Sequence, residues 1–118
     1  MKKTEKKSKT ETAIKRLMVA NRGEIARRVF ASAKNLGIET LAVYSEADSE
    51  MSFVKEADRS VMIGPGPAAE SYLSIKKILE VAKSEKVDAI HPGYGFLSER
   101  AEFAKAVIDA GIQWLGHS

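Results

Sequence analysis

Short runs of branched and aliphatic residues alternate with segments of helical periodicity along this chain, and this alternation restricts its fold more than any other feature. Five runs have the length and composition of buried strands; they span residues 16–20, 40–44, 61–63, 87–91 and 112–115. Helices are predicted between them, at 24–36, 50–57, 72–84 and 99–110. The pattern predicts an α/β fold of three layers, in which right-handed crossover helices cover a five-stranded parallel sheet.

Glycine and serine mark the predicted ends of the helices. Gly37 and Gly111 follow the last periodic residues of the first and last helices, where glycine commonly ends a helix. Ser71 and Ser98 precede the third and fourth helices and are predicted to be their N-caps. The run Gly64–Pro67 closes the third strand as a stiff turn.

The positive charge is concentrated at the amino end. Residues 1–16 contain seven of the 19 basic residues and two of the 16 acidic ones, so residues 17–118 hold 12 bases against 14 acids. Because residues 17–118 lack the basic face that binding to a phosphate backbone requires, we expect no nucleic-acid partner. The length suits one domain, which we place at 16–118, after a disordered leader at 1–15.

The sequence has neither cysteine nor a long apolar run. Without cysteine there is no disulfide, thiolate nucleophile or thiolate metal ligand. No apolar run approaches the roughly 20 residues of a membrane span, so we expect no membrane partner. The Lys-rich leader lacks the apolar segment of a secretory signal. We predict a cytoplasmic location, with the mitochondrial matrix as the alternative.

Two loops are predicted to meet at the carboxyl edge of the sheet. In a sheet of order 3-2-1-4-5, ligands bind where the order reverses, between strands 1 and 4. The loops that follow these two strands contain Asn21–Glu24 and Pro92–Ser98. We therefore take them as the candidate site.

The first loop, Asn21-Arg22-Gly23-Glu24, has two interpretations. Backbone N–H groups at the helix start favour an anion, and the Arg22 fork could add a ligand. Alternatively Asn21 caps the helix, Gly23 permits a tight turn, Glu24 complements the dipole and Arg22 is solvated. The loop has only one of the three glycines of a dinucleotide fingerprint, although Glu46 lies where such folds place a ribose acceptor.

The second loop, within His91–Glu99, has the composition of a binding loop. Gly93 and Gly95 let the backbone approach a ligand closely, and Tyr94 between them supplies a flat face and a hydroxyl. The alternative is a strained turn in which Tyr94 and Phe96 fill the core. The spacing of these residues alone favours neither interpretation over the other.

Other catalytic constellations are missing from the sequence. His91 and His117 have no partner at metal-ligand spacing, so no metal site is expected. His91 is interpreted as a strand-end residue bonded to its neighbours. The sequence contains no nucleophile-elbow motif and no Walker-type phosphate loop. Trp114 is assigned to the core.

Five segments carry a family resemblance when they are taken together. They read LMVANRGEIA at 17–26, AVYSEAD at 42–48, IGP at 63–65, SYL at 71–73 and HPGYGFLSE at 91–99. In this combination they resemble the N-terminal domain of biotin carboxylases, including those of acetyl-CoA, propionyl-CoA, methylcrotonyl-CoA and pyruvate carboxylases. The likeness runs from about Arg16 to Gly116. The family commonly ends its last strand with Ile-Gly-Pro, whereas here His117 follows Gly116.

The resemblance implies a Rossmann-like, pre-ATP-grasp domain of a ligase that carboxylates biotin with ATP, Mg2+ and bicarbonate. Tyr94 matches the family tyrosine beside the biotin ureido ring, and Gly93, Gly95 and Phe96 shape that wall. The residues that hold ATP and Mg2+ and activate bicarbonate are implied to lie beyond Ser118. This part is then expected to contain no catalytic residue, to bind no cofactor alone and to be inactive alone.

The partners implied are the ATP-grasp and C-terminal domains of the same enzyme, the biotin carboxyl carrier domain and a carboxyltransferase. Two alternatives stay open from the residues alone. One is a stand-alone Rossmann-like module that binds a nucleotide or anion at Asn21–Glu24. The other is a domain that acts mainly by packing or oligomerisation through its exposed helices.

Overall fold

Strands and helices alternate through the part of the chain that the computed structural model describes, residues 14–66 and 71–116. The strands are β1 (Arg16–Val19), β2 (Glu39–Ser45), β3 (Arg59–Gly64), β4 (Ala89–His91) and β5 (Gln113–Trp114). The helices are α1 (Gly23–Asn35), α2 (Ser52–Glu56), α3 (Ile75–Ser84) and α4 (Ala101–Asp109), with 3-10 turns at Glu46–Asp48 and Phe96–Glu99. The predicted leader, apart from residues 14 and 15, lies outside the described residues, as do Pro67 and His117.

The strands form one parallel sheet of order β3-β2-β1-β4-β5. Met18 of the central strand β1 lies in register with Leu41 of β2 on one side and with Ile90 of β4 on the other. All three side chains are fully buried, as expected for a parallel sheet covered on both faces. The predicted α/β class and strand order are confirmed.

Helices cover both faces of the sheet, and each face has its own core. On one face, Phe30 of α1 and Phe53 of α2 pack with Val19 of β1. On the other face, Ile78 of α3 and Phe103 of α4 pack in the cluster that contains Met18. This division follows when right-handed crossovers run from β1 in both directions across the sheet. Within the described residues, no helix has the length and apolar character to cross a membrane.

The glycine helix ends are confirmed, but both serine caps are wrong. Gly37 and Gly111 follow α1 and α4 with φ of +74° and +80°. The cap of α3 is Ser74, whose side chain accepts a hydrogen bond from the Lys77 N–H at 3.3 Å. Ser71 instead begins a turn, and its carbonyl accepts from the Ser74 N–H at 3.0 Å. Ser98 falls within a 3-10 turn, so α4 has Arg100 at its N-cap, without a side-chain cap bond.

Replacement of Ser74 by alanine is expected to lower the free energy of unfolding by about 1 kcal/mol, because one N–H at the start of α3 loses its acceptor. Ser98→Ala is the matched control, since it removes the same hydroxyl from a serine that caps no helix. Urea unfolding of both variants measures the difference. Equal losses would contradict the assignment of the cap to Ser74.

Candidate functional site

The two candidate loops meet at the carboxyl edge of the sheet, as predicted. β1 and β4 are neighbours, with Val19 in register with His91. The Ala20 N–H donates to the His91 carbonyl at 2.9 Å and extends the pairing by one residue. The chain leaves both strands at the same place, so residues 21–24 and 92–98 lie side by side.

Asn21 joins these two loops through its buried side-chain amide. Its Nδ2 donates to the carbonyl oxygens of Pro92, at 2.9 Å, and Tyr94, at 2.6 Å. Its Oδ1 accepts from the Arg22 N–H at 2.8 Å. The expectation that Asn21 caps the first helix is wrong, because Arg22 holds the N-cap position, without a side-chain cap bond. The amide is used to hold the second loop instead.

Glycine is required twice in the second loop, for different reasons. Gly93 has a φ of +70°, and a Cβ there would lie 2.6 Å from Asn21 Nδ2 and 2.8 Å from a methyl carbon of Ile25. Gly95 combines a φ of +70° with a ψ of −167°, a region that glycine alone populates readily. The first glycine permits the close approach of Asn21, and the second reverses the chain after Tyr94.

Tyr94 projects from this loop into solvent, with 68% of its surface exposed. Leu97 is fully buried, and Phe96 is half-buried and stacks on Tyr72 with ring centroids 5.3 Å apart. The alternative in which Tyr94 fills the core is therefore wrong, while Phe96 packs against the core cluster. The loop has the composition of a binding loop, and it exposes its tyrosine ring to solvent, where a ligand can reach it.

Two open cavities flank Tyr94. The larger, of about 650 Å3, lies towards α4 and is lined by Tyr94, Ser98, Ala104 and Ile108 among others. The smaller, of about 470 Å3, lies towards α1 and includes His91 in its wall. The His91 Nδ1 accepts from the Gly93 N–H at 3.0 Å, which confirms that His91 bonds its own neighbours.

Arg22 is partly exposed, but it is not a free anion ligand, because its guanidinium is paired within the chain. Its Nε and Nη2 donate to the two carboxylate oxygens of Asp48 at 2.6 and 2.7 Å. The Tyr72 hydroxyl also donates to Asp48, at 2.6 Å, and accepts from the Ser45 N–H at 3.1 Å. The guanidinium fork that could have held a phosphate is thus committed to a carboxylate of the same chain.

This network shifts the pKa values of its members. The hydrogen bond from Arg22 holds the pKa of Asp48 below its usual range, and the same bond raises the pKa of Arg22. Burial, with the bond to Asp48, raises the pKa of Tyr72 to about 12. The group at neutral pH is therefore an ion pair with a neutral phenol. Asp48 and Tyr72 were not singled out by sequence reasoning, because nothing in their spacing relates them to Arg22.

The other residues of the first loop have local roles. Gly23 begins α1 with a φ of +62°. Glu24 lies in the first turn of α1 and pairs with Arg27 at 3.3 Å and Arg28 at 3.5 Å. Glu46 is exposed in the turn after β2. Across the described residues, no group of three or more His, Asp or Glu side chains could hold a metal ion.

Asp48→Asn is expected to lower the free energy of unfolding at pH 7 by about 2 kcal/mol, because hydrogen bonds to charged groups contribute roughly 1.5–3 kcal/mol. The value lies in the lower part of that range because solvent screens Arg22, which is 39% exposed. The folded pKa of Asp48 lies below its unfolded value of about 3.9. Its contribution is therefore present above that pH and disappears as the pH falls through the folded value. Urea unfolding between pH 7 and pH 3 is expected to show the two proteins converging in acid.

Glu56→Gln is the control, because it removes a carboxylate that pairs with Arg27 at 2.7 Å on the exposed surface. Solvent screens such pairs, so the variant is expected to change stability much less. An equal loss in both variants would contradict the importance of the buried network.

Comparison with known proteins decides the family. A model of the biotin carboxylase N-terminal domain matches residues 13–118. The chain belongs to the biotin carboxylase N-terminal domain family. The biotin carboxylase of Halalkalibacterium halodurans is 55% identical over 104 residues, which are 88% of this chain and 23% of that protein. Mitochondrial pyruvate carboxylase of Homo sapiens is 55% identical over 106 residues, which are 89% of this chain and 9% of that protein.

Solved structures of biotin carboxylase domains share the fold. The domain of Hydrogenobacter thermophilus 2-oxoglutarate carboxylase, in complex with MgADP, ADP and bicarbonate, superposes with a TM-score of 0.82 at 46% identity. The superposition covers 86% of this chain and 22% of the 2-oxoglutarate carboxylase domain chain. Pyruvate carboxylase of Rhizobium etli gives a TM-score of 0.80 at 48% identity, over 86% of this chain and 10% of that one. The chain thus spans less than a quarter of the length of these relatives.

Proposed function

We propose that this biotin carboxylase N-terminal domain forms one wall of the active site of an ATP-dependent ligase that carboxylates biotin with bicarbonate. The observation that carries the proposal is the family match over 13–118, which includes the whole loop around Tyr94. The related 2-oxoglutarate carboxylase domain was solved with bicarbonate, a substrate of such a reaction, and with MgADP, its nucleotide product.

The two candidate loops suit biotin better than a phosphate group. Arg22, the cation of the first loop, is committed to Asp48, and the exposed side chain of the second loop is the Tyr94 ring. We therefore assign ATP and Mg2+ to domains outside this chain, along with the groups that activate bicarbonate. No residue of this domain is assigned a proton transfer or a covalent step.

The role of this domain is to position biotin. Tyr94 stands between two cavities with its ring exposed, so one face is available to an apolar ring system and its hydroxyl to a polar edge. Gly93 and Gly95 give the loop the shape that presents this ring, and Phe96 anchors the loop after it. The remaining domains of the ligase, a biotin carrier domain and a carboxyltransferase are the partners that this role requires.

A domain exchange tests the proposal. Residues 14–116 would replace the matching segment of the Halalkalibacterium halodurans biotin carboxylase, which is 55% identical in this region. The chimera is expected to hydrolyse ATP in a manner that depends on both bicarbonate and biotin. A chimera that folds and binds ATP but never responds to biotin would contradict the proposal.

A further inference from the structure

We propose that Tyr72 is a positioning residue for the loop that carries Tyr94, although it lies outside that loop and outside both cavities that flank Tyr94. Its ring stacks on Phe96 at a centroid separation of 5.3 Å and an interplanar angle of 29°. Its hydroxyl is held by Asp48, which is held in turn by Arg22. We call Arg22, Asp48, Tyr72 and Phe96 the loop clamp. The inference rests on the proposed function only for its catalytic consequence.

The loop needs such a clamp because part of its backbone is strained. Phe96 has a φ of +47°, in the left-handed region that costs a residue with a side chain about 1–2 kcal/mol. Strained residues persist only where the surrounding structure over-determines them. Here the Phe96 ring has a stacking partner, and the next residue, Leu97, is fully buried. Loss of the partner is expected to release Phe96, and with it the turn that presents Tyr94.

Tyr72 is itself held in place by burial and by two hydrogen bonds at its hydroxyl. The residue is 2% exposed, and its hydroxyl donates to Asp48 at 2.6 Å while it accepts from the Ser45 N–H at 3.1 Å. The ring therefore cannot withdraw without breaking two buried hydrogen bonds, each costly to leave unmade. Because Arg22 follows Asn21 directly, both supports of the Tyr94 loop start from the turn after β1. Asn21 holds the first part of the loop, and Arg22 holds the second part through Asp48 and Tyr72.

Hydrogen exchange on the full chain tests the clamp without any catalysis. Tyr72→Leu removes the ring and the hydroxyl, Tyr72→Phe removes only the hydroxyl, and Phe30→Leu is a control in the core on the opposite face of the sheet. The readout is the exchange rate of the Ser98 and Arg100 amides, which donate to Gly95 and Leu97 carbonyls, relative to the amides of β1.

At matched protection of β1, we expect these loop amides to exchange about tenfold faster in Tyr72→Leu than in Phe30→Leu. A tenfold change corresponds to a loss of about 1.4 kcal/mol in the local stability of the loop. Tyr72→Phe keeps the stacking ring but loses the bond to Asp48, so its loop amides are expected to exchange at a rate between those of Tyr72→Leu and the unchanged chain. Loop exchange that rises equally in Tyr72→Leu and Phe30→Leu, or does not rise at all, would overturn the proposal.

A kinetic readout separates this inference from the proposed function. In the chimera, Tyr72→Leu is expected to raise the KM for biotin several-fold and to leave the KM for ATP unchanged. If the loop amides exchange faster but the KM for biotin does not move, the clamp stands and the role of the Tyr94 loop at biotin is wrong. If neither changes, the clamp itself is wrong.

Discussion

Gly93→Ala is expected to lower the free energy of unfolding by about 2–5 kcal/mol, a large loss for a single methyl group. The left-handed backbone accounts for about 1–2 kcal/mol of it, and overpacking adds roughly 1–3 kcal/mol. The overpacking arises because the new Cβ would lie 2.6 Å from Asn21 Nδ2 and 2.8 Å from Ile25. Relief of this clash requires Asn21 to leave the carbonyls that it now bonds, so the two loops are expected to separate.

Gly37→Ala is the matched control for this prediction. Gly37 has nearly the same φ, +74°, but no atom lies within 4 Å of the position of its Cβ. Gly37→Ala is therefore expected to lower the free energy of unfolding only by the backbone part, about 1–2 kcal/mol. Urea or thermal unfolding of the two variants gives the comparison. Equal losses would show that the close approach of Asn21 to Gly93 contributes nothing.

The architecture could be predicted from the sequence because its signal is periodic. Each strand is a short apolar run, and in each helix apolar residues recur every three or four positions. The order of elements follows directly from these two patterns. The ends of the helices were harder to predict, because several neighbouring residues have side chains that can cap a helix. Ser71 and Ser74 both precede α3, and only the turn at 71–73 places the second of them at the cap.

The candidate site could be predicted only in part. Its two loops follow from the strand order, since the switch point lies between β1 and β4. The bonds that hold the loops could not be predicted, because Asn21 and Tyr94 are 73 positions apart and Arg22 and Asp48 are 26 apart. Neither pair leaves a local pattern. A residue such as Asn21, which fits a cap by type, is used for a distant bond that only the folded chain shows.

Tyr94→Ala separates stability from function more sharply than any other substitution in this chain. Because Tyr94 is 68% exposed, its truncation is expected to change the free energy of unfolding by no more than about 0.5 kcal/mol. In the chimera it would remove the aromatic face that we propose biotin covers. Loss of roughly 1.5–3 kcal/mol of apolar burial corresponds to about a tenfold to hundredfold drop in kcat/KM for biotin.

Leu36→Ala provides the control for this loss of function. Leu36 is 76% exposed and follows α1, whose carboxyl end lies at the opposite edge of the sheet from Tyr94. Its truncation removes exposed apolar surface of a similar kind without touching either candidate loop. We expect it to leave both the stability and the kinetics of the chimera close to those of the parent chimera.

The kcat/KM for biotin of the chimera with and without Tyr94→Ala tests the account most directly. The proposed role of Tyr94 predicts a drop of about tenfold or more, with the KM values for ATP and bicarbonate and the thermal midpoint unchanged. A Tyr94→Ala chimera that carboxylates biotin with the same kcat/KM as its parent would contradict it.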